Sequence, residues 1–215
     1  MRARLILITD RRRSPTPLPN AVAAALTSVP PGSTAILLRE KDLVGGELLR
    51  LARTLRDVTR RFGAPLIVSG RWDIALAVEA DGVHLGGEAP PFEAARRIAR
   101  GLEIGVSLHD DEQAPPEASY ALISPIFATT SKPGATPLGL DGLRRAVNAS
   151  ANVPMFALGG ITGPDEVSVC LENGAFGVAA LGAVLTSADP GGRAQALCGV
   201  LSRTHFAHDL RVTSS

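Results

Sequence analysis

The side chains best suited to chemistry in this sequence are cations, hydroxyls and glycines in patterns that receive an anion. Arg39 and Lys41 stand two apart in Leu38-Arg39-Glu40-Lys41-Asp42, so on extended chain both face one side and Glu40 the other. Two cations at a pocket mouth suit a phosphate or diphosphate, whose charge they offset; a solvated charge run is the plainer reading. Lys41 and Lys132 are the only lysines among 22 Lys plus Arg. Lys132 belongs to Phe127–Gly139, a stretch dense in hydroxyls, Gly and Pro, where Thr129, Thr130 and Ser131 are placed to wrap an anion. A loop of that length in a small domain is usually a lid or a binding loop, the alternative being a plain surface loop. Gly159-Gly160, the following Thr162-Gly163-Pro164-Asp165, and Gly182 offer backbone N–H groups where no Cβ keeps an anion away, although a glycine pair also serves a tight turn. His84 and His109 titrate near neutrality and are candidates for general acid or base. His84, between Val83 and Leu85, reads more readily as a satisfied structural histidine, and His109 stays open. His205 and His208 lack a third ligand and are assigned no metal.

Short apolar runs must position these groups: Leu5–Thr9, Thr34–Leu38, Leu66–Ser69, Gly82–Leu85, Glu103–Ser107, Tyr120–Ser124, Val153–Leu158 and Phe176–Ala180. They read as continuous rather than alternating, as expected of parallel strands covered on both faces. Between them lie segments of helical period: Asn20–Ser28, Gly46–Phe62, Trp72–Ala80, Phe92–Arg100, Asp111–Glu117, Leu140–Ala149, Pro164–Asn173 and Ala183–Arg203. The segment near Asp111–Glu117 is interrupted by Pro115 and Pro116. Strict alternation over eight units of about 27 residues predicts an α/β fold of the (β/α)8, or TIM, barrel type, compact and without inserted domains. A doubly wound open sheet is the alternative, but its glycine-rich first turn is replaced here by Asp10-Arg11-Arg12-Arg13-Ser14-Pro15. Residues 1–203 are expected to form one barrel and residues 204–215 a polar tail that frays. In such a barrel the catalytic groups lie at the C-terminal strand ends, which carry Asp10, Arg39 to Asp42, Ser69-Gly70-Arg71, His84 to Glu88, Ser107 to His109, Ser124-Pro125, Gly159-Gly160 and Gly182. Trp72, beside Arg71, either packs or forms part of a pocket wall.

Composition removes several classes. At 215 residues with 45% hydrophobic content the chain buries a core without metal or disulfide staples. A net charge of +1 argues against nucleic acid. Cys170 and Cys198 are too few for a disulfide scaffold and too dispersed for structural zinc, and both are expected to be buried. No apolar run approaches the 18 or so residues of a membrane span, so a cytoplasmic protein without membrane contact is expected. The outer helices give no distinctive interface signal, which leaves a homo-oligomer open.

Leu7-Ile8-Thr9-Asp10, Leu38-Arg39-Glu40-Lys41, Gly82-Val83-His84-Leu85-Gly86, Gly105-Val106-Ser107 with His109, Ser124-Pro125-Ile126-Phe127 with Thr129-Thr130-Ser131-Lys132-Pro133, Leu138-Gly139-Leu140, and Ala157-Leu158-Gly159-Gly160-Ile161 follow one another in order. In these stretches the sequence resembles thiamine-phosphate synthase and its thiazole tautomerase relatives, over most of the chain. The resemblance implies a (β/α)8 barrel and a reaction joining a pyrimidine diphosphate to a thiazole phosphate, with release of pyrophosphate and Mg²⁺ as helper. It implies that Arg39, Lys41 and Lys132 neutralise the diphosphate, that Thr129 and Ser131 line the thiazole and phosphate pocket, and that Gly159, Gly160 and Gly182 hold the thiazole phosphate. Lys41, Lys132 and His109 are thus the catalytic candidates, with His84 and Arg71 added to the ligand-binding set.

The departures from the family pattern are as informative. Leu37 stands where the synthases carry a Gln that hydrogen-bonds the pyrimidine, and Gly70 and Ala89 stand where they carry metal-ligand aspartates. The tautomerases' catalytic histidine is replaced by Pro125. Mg²⁺ is expected of the family, but with its ligands missing no metal residue and no cofactor is assigned; Glu88 and Asp73 are the nearby carboxylates. The expected function is a thiamine-phosphate synthase-like protein that binds a small phosphorylated heterocycle of the thiazole-phosphate type at the barrel mouth. Alternatives are a tautomerase-like isomerase using His109 or His84, and a non-catalytic phosphate-ligand-binding or regulatory module.

Overall fold

In the computed structural model, every residue is described except Met1, Glu88, Asp110, Asp111, Lys132, Pro133, Ala151 and residues 213–215, and residues 204–212 are described by their backbone alone. Eight parallel strands, β1 (Leu5–Ile8), β2 (Thr34–Leu38), β3 (Leu66–Ser69), β4 (Gly82–Leu85), β5 (Glu103–Leu108), β6 (Tyr120–Ile123), β7 (Met155–Leu158) and β8 (Gly177–Ala180), pair in sequence order. The pairing of β1 with β8 closes the barrel. Around it run α1 (Leu18–Thr27), α2 (Gly45–Arg61), α3 (Trp72–Ala77), α4 (Phe92–Ile98), α5 (Gly139–Ala149), α6 (Pro164–Glu172) and α7 (Pro190–Val212). None of the helices among the described residues is long and apolar enough to cross a membrane.

Two expected helices differ. Between β5 and β6 the described residues contain no helix, because Pro115 and Pro116 carry no N–H to donate and the Ala114 N–H donates instead to Ser150 Oγ at 3.0 Å. The helix expected from Ala183 starts at Pro190. Asp189 accepts the Gly192 N–H at 2.9 Å and so caps the helix start, and Pro190 discourages helical geometry in the residue before it. α7 then includes residues 204–212, the stretch read as tail; the side chains there, with those of His205 and His208, lie outside the described residues.

Strand parity sorts the core. Leu5, Leu7, Ile36, Leu38, Leu66 and Val68 face the helices, while Ile6, Ile8, Leu37, Ile67, Tyr120, Leu122 and Phe156 fill the barrel interior. A file of rings crosses that interior. His84 stacks on Tyr120 at 5.6 Å, Tyr120 meets Phe156 edge-on at 5.7 Å, and Phe156 meets Phe176 at 5.4 Å. The file fits because Gly105 lies beside Tyr120, where a Cβ would fall 2.0 Å from the ring's Cζ. His84 is 3% exposed, with Nδ1 3.1 Å from Tyr120 Oη and Nε2 2.9 Å from Ser107 Oγ. Burial holds its pKa down to about 3, with the charge of Arg39 adding to the effect, so the ring is neutral at pH 7.

Two outcomes follow from this interior. Gly105→Ala should destabilise the fold by about 3 kcal/mol or more, measured by urea denaturation, because the enclosed Tyr120 ring has nowhere to move. His84 binds fewer protons when folded than when unfolded between pH 6.5 and about 3, so stability is lost as pH falls through that window, by up to about 1.4 kcal/mol per pH unit. His84→Gln should flatten that profile while lowering stability at pH 7. Parallel profiles for the two proteins would count against a buried neutral His84.

Candidate functional site

At the C-terminal ends of β1 and β2 the charges are sorted by a buried carboxylate. Glu40 has a side chain 2% exposed and accepts the Arg11 backbone N–H at 3.1 and 3.2 Å and the Arg11 guanidinium at 3.3 Å. Glu40 therefore turns toward the β1 loop. Arg39 is half-buried and close enough to His84 for its charge to act on the ring; its N–H donates to Thr9 Oγ1 at 2.9 Å. Lys41 is exposed on the following turn. Arg11 and Arg12 both reach Asp42, at 2.6 and 2.8 Å, and the Arg11 hydrogen bond holds the Asp42 carboxyl down to about 2. Arg13 points elsewhere.

The glycine pair after β7 adopts left-handed backbone, with φ of +99° at Gly159 and +69° at Gly160. A Cβ at Gly159 would fall 2.9 Å from Pro125, and one at Gly160 2.5 Å from Phe127 Cβ. Glycine is needed at both places, both for the conformation and because the loop after β6 lies directly on them. That loop begins at a cis Ser124–Pro125 bond and carries Thr129, whose Oγ1 accepts the Ser131 N–H at 3.3 Å. Ser131 Oγ lies 3.4 Å from Arg13 Nη1, and Arg13 Nη2 lies 3.2 Å from where a Cβ of Gly182 would be. Thr129, Ser131, Gly159, Gly160 and Gly182 thus share one rim, with Arg13 across it. Among the described residues the backbone N–H groups of Gly159, Gly160 and Gly182 donate to no protein acceptor. Backbone N–H groups left open in this way are what an anion takes up. No helix begins at Gly182, contrary to expectation, and the N-terminus of α6 is capped internally by Glu166, which accepts the Gly163 N–H at 2.8 Å.

The remaining expected residues divide. His84 is inside the barrel behind half-buried Ser107 and does not reach the surface. His109 is exposed after β5 and its N–H donates to Glu112 at 2.7 Å. Arg71 forms a two-pronged pair with Asp73, at 2.8 and 2.6 Å, which lowers the Asp73 pKa. Trp72 is half-buried against the outer core. A groove of about 390 Å³ opens beside Ser107, lined also by Gly86, Ala89, Glu112, Gln113 and Pro115. Lys132 and Glu88 lie outside the described residues. Arg13 and Ser107 went unassigned in the sequence reading. The available signal for Arg13 was a count of charges, since Arg11, Arg12 and Arg13 face only two acids, Glu40 and Asp42, on the next strand end.

The described residues do not fit a divalent metal. Gly70 and Ala89 offer no side-chain oxygen where the family pattern has carboxylates, and Asp73 is taken up by Arg71. Among the described residues no cluster of three His, Cys, Asp or Glu side chains is arranged to hold an ion.

Comparison with known proteins bears on this mouth. A putative thiamine-phosphate synthase 2 of Aquifex aeolicus is 40% identical over 182 residues, 83% of this chain and 95% of its own. A thiamine-phosphate synthase of Chloroflexus aurantiacus is 40% identical over 206 residues, 94% of each chain. In three dimensions, the thiamine phosphate pyrophosphorylase of Pyrococcus furiosus superposes with a TM-score of 0.82 at 35% identity, covering 94% of this chain and 96% of that one. A 3-hexulose-6-phosphate synthase, at 18% identity and a TM-score of 0.61, shares the fold alone. The family model for thiamine monophosphate synthase matches residues 5–184, from the start of β1 to just beyond Gly182, and to that family this chain belongs.

Proposed function

We propose that this chain acts in thiamine biosynthesis as a thiamine-phosphate synthase-like protein that binds a thiazole-phosphate-type ligand at the barrel mouth. The observation that carries the reading is the set of unpaired N–H groups at Gly159, Gly160 and Gly182, on adjacent strand ends β7 and β8. Barrels of this kind place a phosphate at these two ends. Thr129 and Ser131 on the loop after β6 line the same rim and hold the heterocycle against it. Across the mouth, Arg39 and Lys41, with Lys132 from the β6 loop, meet the diphosphate of the second substrate.

In the family's reaction pyrophosphate leaves with growing negative charge. Fixed cations stabilise that departing charge more than they stabilise the bound substrate, and this difference lowers the barrier. The backbone of the glycine pair holds the phosphate of the acceptor still while its ring faces the departing group, which supplies orientation. Leu37 is 1% exposed in the barrel interior, so the position that hydrogen-bonds the pyrimidine in the synthases is apolar here. With no carboxylate at Gly70 or Ala89, the transfer step rests on side-chain cations.

The test is thiamine phosphate formation by the purified protein given both family substrates, with calorimetric binding of thiazole phosphate alongside. We expect measurable thiazole phosphate binding, slow turnover and little stimulation by Mg²⁺. The double substitution Gly70→Asp with Ala89→Asp should raise Mg²⁺-stimulated turnover by about tenfold or more. A Cβ at Gly70 meets nothing within 4 Å, and its φ of +69° is one that Asp tolerates better than most residues. Robust Mg²⁺-dependent turnover by the unaltered protein would show that other oxygens hold the ion. A folded sample that binds no thiazole phosphate would remove the reading.

A further inference from the structure

Of the three consecutive arginines after β1, two are neutralised by Glu40 and Asp42. The third is not. Among the described residues Arg13 has no carboxylate within ion-pair distance, and its guanidinium lies over Gly182 with Nη2, Nη1 and Cζ at 3.2, 3.6 and 3.7 Å from the position a Cβ would take. Among the described residues its one side-chain hydrogen bond is the long one to Ser131 Oγ at 3.4 Å. The group is exposed and carries a full charge, and it stands between two loops that present unpaired N–H groups and hydroxyls. α7 starts only at Pro190, and the Glu166 carboxylate stands at the start of α6, where it accepts the Gly163 N–H.

From this we infer that Arg13 is a further ligand-binding residue, a guanidinium clamp that closes the glycine cradle of β7 and β8 over the phosphate monoester of a small heterocycle. The planar fork of an arginine matches two phosphate oxygens at once, which a lysine ammonium does not. A Cβ at Gly182 would crowd the fork, whose nearest nitrogen lies 3.2 Å from that position. The inference rests on the mouth being a phosphate site and adds the charge that the backbone groups lack.

The experiment measures binding of three probes, thiazole phosphate, the corresponding dephosphorylated alcohol and inorganic phosphate, by calorimetry at two salt concentrations for the unaltered protein, Arg13→Ala and Arg13→Lys. Arg13→Ala should weaken thiazole phosphate binding by about tenfold or more and reduce its salt dependence, leave the alcohol unaffected, and leave the melting temperature unchanged. Arg13→Lys should fall between the two. If Arg13→Ala binds thiazole phosphate as tightly as the unaltered protein, the clamp is wrong while the synthase-like reading stands. If the unaltered protein ignores thiazole phosphate but binds inorganic phosphate in an Arg13-dependent way, the clamp stands and the ligand reading falls. Binding of neither phosphate probe overturns both.

Discussion

The arrangement of the mouth depends on one buried carboxylate. Glu40 accepts both the backbone N–H and the guanidinium of Arg11, 29 residues back in sequence at the neighbouring strand end. A carboxylate at 2% exposure is tolerated only with such partners, because an unpaired buried charge costs several kcal/mol. The tie fixes the loops after β1 and β2 relative to one another. It commits Arg11 to the β2 side and brings Arg12 with it to Asp42. Arg13, next along the chain, is left to reach the neighbouring strand end at Gly182, and Arg39, on the other side of Glu40, lies close enough to His84 for its charge to act on the ring. One hydrogen-bonded carboxylate therefore distributes the cations of the site.

Opposite that tie the constraint is steric. The loop after β6 can lie on the end of β7 only where no Cβ intervenes, and both Gly159 and Gly160 take positive φ to meet it. Their N–H groups find no acceptor among the described residues. A packing requirement and a binding surface are here one feature. The helix ends that often support such a surface are engaged elsewhere, by Glu166 at α6 and Asp189 at α7, so the positive charge opposite an anion has to come from side chains.

Much of this was legible beforehand, for identifiable reasons. The buried parallel strands read as continuous apolar runs, and Thr34–Leu38, Leu66–Ser69 and Gly82–Leu85 coincide with β2, β3 and β4. The rim residues Gly159, Gly160 and Gly182 were placed because strand order alone puts them side by side. What failed depended on capping or on distant partners. The segment at Asp111–Glu117 has helical composition but two prolines and an Ala114 N–H committed to Ser150, and the last helix waits for the Asp189-Pro190 start. Arg13 reads locally as the end of a charge run; its neighbours Ser131 and Gly182 lie far along the chain and meet it only when β1 closes against β8. His84 is the satisfied structural histidine that its apolar neighbours suggested, but its ring partners, Tyr120 and Ser107, come from other strands and could not be named from the sequence.

The loss of the family's carboxylates bears on how charge is distributed at the mouth. A divalent ion held by two carboxylates adds no net charge to a pocket, so a chain with Gly70 and Ala89 in place of both ligands leaves the total at the mouth unaltered. What changes is the distribution. Without that ion, the positive charge left to meet an anion is the spread charge of Arg39 and Lys41, which the resemblance gives to the family as a whole, and of Arg13, all on flexible stems. Spread charge of this kind binds phosphate groups well, because each guanidinium or ammonium contributes its own hydrogen bonds. It stabilises a leaving pyrophosphate less well, because the stems must reorganise as charge develops, whereas preorganised groups need not. The same residues therefore favour retention of phosphorylated ligands over fast transfer. Such a balance accords with the proposed reading, in which backbone groups of β7 and β8 take up a phosphate and no carboxylate stands at position 70 or 89.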